Sequence, residues 1–220
     1  MPARLWSRVG PATHSASRSK TEPMNAKGAA ITNFSNTLPS IHANIAQGFL
    51  KDPYLFDFLT LTEPFLEREL ETGLVAHIQK FLIELGRGFA FVGRQCPLTV
   101  SDHEFFIDLL FYHLHLRCFI VVDLKKGDFK PEYAGKMNFY CSAVDAQLRH
   151  AGDTPTIGLI LCQTKDRILA EYSLKDIHKP IGVADYELTR ALPAELASSL
   201  PSIETIEAEL SDDLEKKGNE

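Results

Sequence analysis

Paired cysteines are missing from this sequence. Cys96, Cys118, Cys141 and Cys162 stand far apart and form no C-x-x-C motif. That excludes a compact zinc site and a disulfide framework, and fits a reducing compartment. No apolar run approaches the ~18 residues of a membrane span, so a soluble, cytoplasmic protein without a membrane partner is expected. There is no internal repeat. Basic charge is also scarce, the net charge being −6. Its distribution is uneven: residues 202–220 carry seven acids against Lys216 and Lys217, and residues 1–30 carry five bases against Glu22. The acidic remainder excludes a tight, non-specific binder of polyanions. A protein that draws a polyanion through a bound metal and a local basic rim remains compatible with it. What is present is an ordinary globular composition, 45% apolar and 24% charged over 220 residues, enough for one domain with loose ends.

Residues 1–36 have no hydrophobic period and are rich in Ser, Ala, Thr and Arg. They are expected to be a disordered extension, either transit-peptide-like or non-native with Met24 as the true start. Residues 37–61 hold short apolar clusters broken by Pro39 and Pro53 and read as a connector. From Thr62, a candidate N-cap, Leu66, Leu70, Leu74, His77, Phe81 and Leu85 recur at helical spacing, with acids in the early turns and Gly86 as the stop. The spacing predicts one amphipathic helix over Glu63–Gly86. Three strands follow at Phe89–Gln95, Glu104–Tyr112 and Leu116–Lys125, then a helix opened by Pro131 and a buried strand at Thr156–Gln163. Beyond lie a helical stretch at Lys165–Leu174, a strand at Ile181–Leu188 and a charged terminal helix at Glu204–Glu215. The core order is α-β-β-β-α-β.

Asp108 is the only charge within Phe105–Phe111, and an unpaired carboxylate in an apolar strand is costly. It requires a cation, a donor network or an open edge. On the next strand Asp123 and Lys125 share a face, because side chains alternate with a period of two. They suit a metal ligand beside a cation, or merely a strand reaching solvent. Glu84 follows His77 and Phe81 at i+7 and i+3, in the last helical turn where a carboxylate meets the negative helix end. A bound cation would remove that conflict. Together, these acids and the lysine suit metal-assisted phosphodiester hydrolysis with oxygen ligands, hence Mg²⁺ or Mn²⁺. Arg87, Arg94 and Gln95 border the first strand as candidate contacts to a nucleic-acid backbone, and equally as partners of surface acids. His113 and His115 are read as exposed turn histidines, and Phe139 and Tyr140 primarily as core.

The stretches FLIELGRGFAFVGRQ (Phe81–Gln95), FFIDLLFYH (Phe105–His113), VVDLKKGDFKPEYAGKMNFY (Val121–Tyr140) and TIGLILC (Thr156–Cys162) resemble the YhcG-type PD-(D/E)XK nuclease family. PIGVADYELT (Pro180–Thr189) and LPSIETIEAEL extend the resemblance, which covers about Leu38 to Leu210. It implies an α/β fold, a restriction-endonuclease-like αβββαβ core with a mixed central sheet flanked by helices. The nuclease domain would span 62–201, with 37–61 as the tail of a preceding domain and 202–220 as an acidic helix or tail. The resemblance also implies metal ligands at Glu84, Asp108 and Asp123 and a catalytic Lys125. It departs at Asp123, where Glu is more usual, and at Lys136, which stands in a Gln position four residues before Tyr140. Lys136 and Tyr140 thereby join the candidate nucleic-acid contacts. The implied function is a Mg²⁺-dependent nuclease acting on DNA, with an open question of homo-oligomerisation. A catalytically weak nucleic-acid-binding or assembly module, and a nuclease acting on RNA, are the competing readings.

Overall fold

The computed structural model describes residues 29–61 and 64–188. The expected terminal helix at Glu204–Glu215 and the N-cap at Thr62 lie outside the described residues. Two strands form the centre, β5 (Cys118–Leu124) and β6 (Ile157–Cys162), which pair in parallel with Ile120 opposite Ile157 and Leu124 opposite Leu161. Both are almost wholly buried, as their unbroken apolar sequences require when a strand is covered on both faces. β7 (Ile181–Leu188) extends the parallel set beyond β6. On the other side β4 (His103–His113) adds antiparallel to β5, and β3 (Phe89–Val100) antiparallel to β4. The result is the mixed sheet expected of the α/β core.

Helices cover both faces. α5 (Pro131–Gln147) has Pro131 in its first turn, where a missing N–H costs nothing. It carries the chain from β5 to β6 and approaches the sheet closely at Gly158, where a Cβ would collide with Met137 Cγ. With α6 (Arg167–Leu174) it buries Val121, Ile160 and Val183 in one core layer. The opposite layer contains Phe81, Phe111, Ile120, Val122 and Leu159. Among the described residues no helix is long and apolar enough to cross a membrane.

Three expectations change. The single helix over Glu63–Gly86 is two, α3 (Glu67–Ala76) and α4 (Ile78–Leu85), broken at His77 with φ −111° and ψ 37°. The His77 N–H and ring Nδ1 both approach the Gly73 carbonyl, each at 3.1 Å. The apolar stripe continues through the break, but Leu66 falls before the first turn and is exposed. The first strand is longer than expected because it bends rather than stops: a bulge between Phe91 and Gly93 absorbs Val92, and Gln95 takes φ +44°.

The third change concerns the N-terminal side. The end of the expected disordered extension is ordered, with β1 (Ile31–Thr32) antiparallel to β7 and α1 (Phe34–Thr37) placing Phe34 in the core. Asn33 fixes this corner by donating to the Ile177 and Lys179 carbonyls and accepting the Ile181 N–H at 2.8 Å. The connector is likewise part of the same core. It holds α2 (Ser40–Phe49) and β2 (Tyr54–Phe56), which pairs with β7 and buries Tyr54 and Phe56 completely. Isolated polar neighbours hide these short apolar pieces from any periodicity test, yet a sheet edge gives each a partner.

Candidate active site

Asp108 and Asp123 lie on neighbouring strands and point to the α5 side of the sheet. The β4–β5 ladder ends at the Leu109–Val122 pair. Beyond it the Asp108 carboxylate takes over, accepting the Leu124 N–H at 2.9 Å on Oδ2. Burial, followed by the charge of Asp123, pushes the Asp108 carboxyl up to about 6; the Leu124 N–H, Lys125 and Lys136 work in the other direction. Asp123 is 1% exposed. Its Oδ2 stands 2.9 Å from Lys125 Nζ, although that contact lacks hydrogen-bond geometry and the oxygen has no bonding partner.

Lys125 itself is buried and held from several sides. Its N–H donates to the Leu161 carbonyl, its Nζ to the Leu124 carbonyl at 2.9 Å, and the Tyr186 hydroxyl donates to its carbonyl. The ammonium also lies over the Tyr133 ring and 3.6 Å from Glu67 Oε2. Such fixing aims the cation at the aspartates with little conformational freedom left. Lys136 reaches the same centre from α5. It donates to Asp123 Oδ1 at 3.1 Å and lies over the Tyr140 ring. Burial opposes its charge, but Asp123 outweighs burial and holds the ammonium above its ordinary range.

α3 supplies a further acid. Glu71 is buried, accepts from Gln95 Nε2 at 2.5 Å and sits 3.5 Å from Arg94 Nε, while its Oε1 has no hydrogen-bond partner. Glu67, one turn earlier, accepts the Lys126 N–H at 2.9 Å. Glu67, Arg68, Glu71, Arg94, Gln95, Phe106 and Asp108 line one cavity of about 450 Å³. The left-handed backbone at Gln95 turns its amide into this cavity's wall, onto Glu71.

The structure therefore gathers Asp108, Asp123, Lys125 and Lys136, and sets Arg94 and Gln95 along the adjoining cavity. It does not bring Glu84 there. Glu84 Oε2 pairs with Lys51 Nζ at 2.7 Å and Oε1 accepts the Leu55 N–H at 2.9 Å, so its carboxylate fastens β2 to α4. The interruption at His77 separates α4 from α3, and α3 supplies the acids that line the cavity. Arg87 lines a separate hollow with Lys51, His113 and His115. Tyr140 is buried beneath Lys136 and offers no face to a base. His115 is exposed as expected, but His113 is buried and its Nδ1 accepts the Leu116 N–H. Glu67 and Glu71 escaped the sequence reading as site residues. Their signal was a four-residue spacing beside the Leu70–Leu74 stripe, which first-turn acids stabilising a helix dipole share.

A model of the YhcG PDDEXK nuclease domain matches residues 47–201. The chain belongs to that family. The YhcG protein of Escherichia coli (strain K12), provisionally named a nuclease, is 36% identical over 156 residues, which make up 71% of this chain and 42% of that protein. The chain thus spans about two-fifths of the length of this curated YhcG relative. Among solved structures, a repair endonuclease from Pyrococcus abyssi aligns with TM-score 0.38 and 16% identity, over 58% of this chain and 49% of that one. The EndoMS–dsDNA2 complex aligns with TM-score 0.39 and 11% identity, over 61% and 49%.

The atoms of the Asp108–Asp123 cluster bear on whether a metal would fit there. Burial, and after it the charge of Asp123, raises the Asp108 carboxyl, and one Asp123 oxygen lacks a hydrogen-bonding partner. A divalent cation held there would relieve both features. Among the described residues no three His, Cys, Asp or Glu side chains gather into a full cage. Two such carboxylates can serve a hard divalent cation that keeps several of its waters.

Proposed function

We propose that this domain hydrolyses phosphodiester bonds, with DNA as the substrate, in a centre where Asp108 and Asp123 hold Mg²⁺ or Mn²⁺. The convergence of these two repelling, partly or wholly buried carboxylates beside Lys125 is the observation that carries the reading. A divalent cation there would supply Lewis-acid polarisation of the phosphate and a bound water of lowered pKa. Lys125, immobilised by the Leu161, Leu124 and Tyr186 contacts, stabilises charge developing on the phosphate without reorganising. Glu71 takes the role that the sequence assigned to Glu84: a helix carboxylate facing the cavity, with Gln95 holding its orientation. Arg68 and Arg94 on the cavity rim meet backbone phosphates and fix the register of the strand.

One observation favours a second reading, a weakly catalytic nucleic-acid-binding or assembly module: both oxygens of Asp123 already face lysine ammoniums. Labelled single-stranded, duplex and branched DNAs and a matched RNA, incubated with Mg²⁺, Mn²⁺ or EDTA, separate the alternatives. Cleavage of DNA that EDTA and Asp123→Asn abolish supports the proposal. Binding without cleavage in either metal supports the second reading, and cutting of RNA alone overturns the choice of DNA.

A further inference from the structure

We propose that Lys136 is a displaceable counter-ion of the metal-binding aspartates, resting on Asp123 in the metal-free centre and leaving it when a divalent cation enters. This rests on the metal reading of the centre and adds how that centre is loaded. Each Asp123 oxygen faces its own ammonium, Lys125 Nζ at 2.9 Å from Oδ2 and Lys136 Nζ at 3.1 Å from Oδ1. The two lysines match the two aspartates charge for charge. Glu67 meets Lys125, at 3.6 Å. A cation approaching this arrangement gains little until one ammonium departs.

The two lysines differ in their freedom to depart. Lys125 has 7% of its side chain exposed and is fixed by its carbonyl contact and the Tyr133 ring. Lys136 has 41% of its side chain exposed and, among the described residues, pairs with one carboxylate, Asp123. Its backbone does not move with it, since Ala134, Met137 and Cys141 bury the same helix against the sheet. The long side chain can swing instead, keeping its cation–π contact with the Tyr140 ring, already 5.1 Å from Nζ, as it leaves Asp123. A phosphate brought to the centre would be a stronger partner for the freed ammonium. Metal entry, release of Lys136 and capture of a phosphodiester are thereby coupled: each favours the next.

The test is Mn²⁺ binding to the full chain without nucleic acid, read from the electron paramagnetic resonance of the free ion. Lys136→Gln and Lys136→Met, which remove the charge, are expected to tighten binding by at least about tenfold, since an ammonium within ~4 Å is lost from the metal's site. Lys136→Arg keeps a cation on Asp123 and is expected to bind as weakly as the parent. Metal-free thermal unfolding of each variant confirms that a folded site is being titrated. Binding by the two neutral variants no tighter than the parent's overturns the counter-ion role while leaving the metal centre standing. If no variant binds Mn²⁺ differently from Asp123→Asn, the metal reading fails and this proposal fails with it.

Discussion

Asp108 carries the residue-scale conflict of the centre: it is mostly buried, faces another acid, and owns one backbone donor, Leu124 N–H. A carboxyl raised to about 6 from its ordinary 3.8 stabilises the fold when protonated. Its contribution is fully present below the unfolded value near 3.8 and is lost as pH rises through about 6. Asp108→Asn, neutral throughout, should therefore gain stability over the metal-free parent as pH climbs from 4 to 7. Denaturant unfolding across that range measures it, and parallel profiles for the two proteins would show that the raised carboxyl has no energetic consequence. In the same variant Mn²⁺ affinity and cleavage should fall together.

Lys125 should separate differently. Lys125→Ala is expected to bind Mn²⁺ at least as well as the parent, because a positive neighbour is gone, while single-turnover cleavage drops by roughly 10²–10³-fold. It should also cost the metal-free protein up to about 3–5 kcal/mol, the range for removing one partner of a buried ion pair, moderated because Asp123 keeps Lys136. Unchanged cleavage in a folded variant would remove Lys125 from the chemistry.

At the scale of elements, the division of one amphipathic stripe into α3 and α4 decides which glutamate lines the cavity. Leu70, Leu74, Phe81 and Leu85 all reach the same core layer, so hydrophobic burial does not distinguish a continuous helix from a broken one. The His77 break turns α4 so that Glu84 meets Lys51 and Leu55, while α3 presents Glu71 to Gln95 and the cavity. Glu84→Gln should lower stability by about 1–2 kcal/mol through its lost charged contacts, with Mn²⁺ affinity unchanged. Glu71→Gln should keep the Gln95 neighbour and most of the stability yet slow cleavage at least about tenfold, as loss of one electrostatic contributor implies. Parallel unfolding and cleavage measurements on the two variants decide between them; a loss of cleavage confined to Glu84→Gln would restore that residue to the centre.

For the whole molecule, the sheet edge at β7 joins the N-terminal segments to the domain. β1 and β2 occupy successive parts of that edge, Thr32 opposite Gly182 and Tyr54 opposite Tyr186. Phe56 stacks on Tyr186 at 5.5 Å, and the Tyr186 hydroxyl reaches the Lys125 carbonyl. The expected connector thus buttresses the lysine of the centre. Phe34→Ala should cost about 3–5 kcal/mol, the range for emptying a buried phenylalanine site, whereas a disordered extension would register no change. Thermal and denaturant unfolding of this single variant suffice to check it.

The central sheet and the polar pair on it follow from local patterns in the chain. Uninterrupted apolar runs made β5 and β6 buried strands, and the two-residue period put Asp123 and Lys125 on one face whatever surrounded them. A lone acid in Phe105–Phe111 marked Asp108 because no apolar strand leaves a charge unexplained. Residues three and four apart on one side of a helix gave the stripe but not its break. That Glu71 and not Glu84 reaches the cavity, that Lys136 rests on Asp123, and that Ile31, Phe34, Tyr54 and Phe56 belong to the core emerges only once the chain is folded. The physical reason is distance along the chain. Alternation and helical period act between neighbours, whereas a helix break, an ammonium's choice of carboxylate and the filling of a sheet edge are fixed by contacts between segments far apart in sequence.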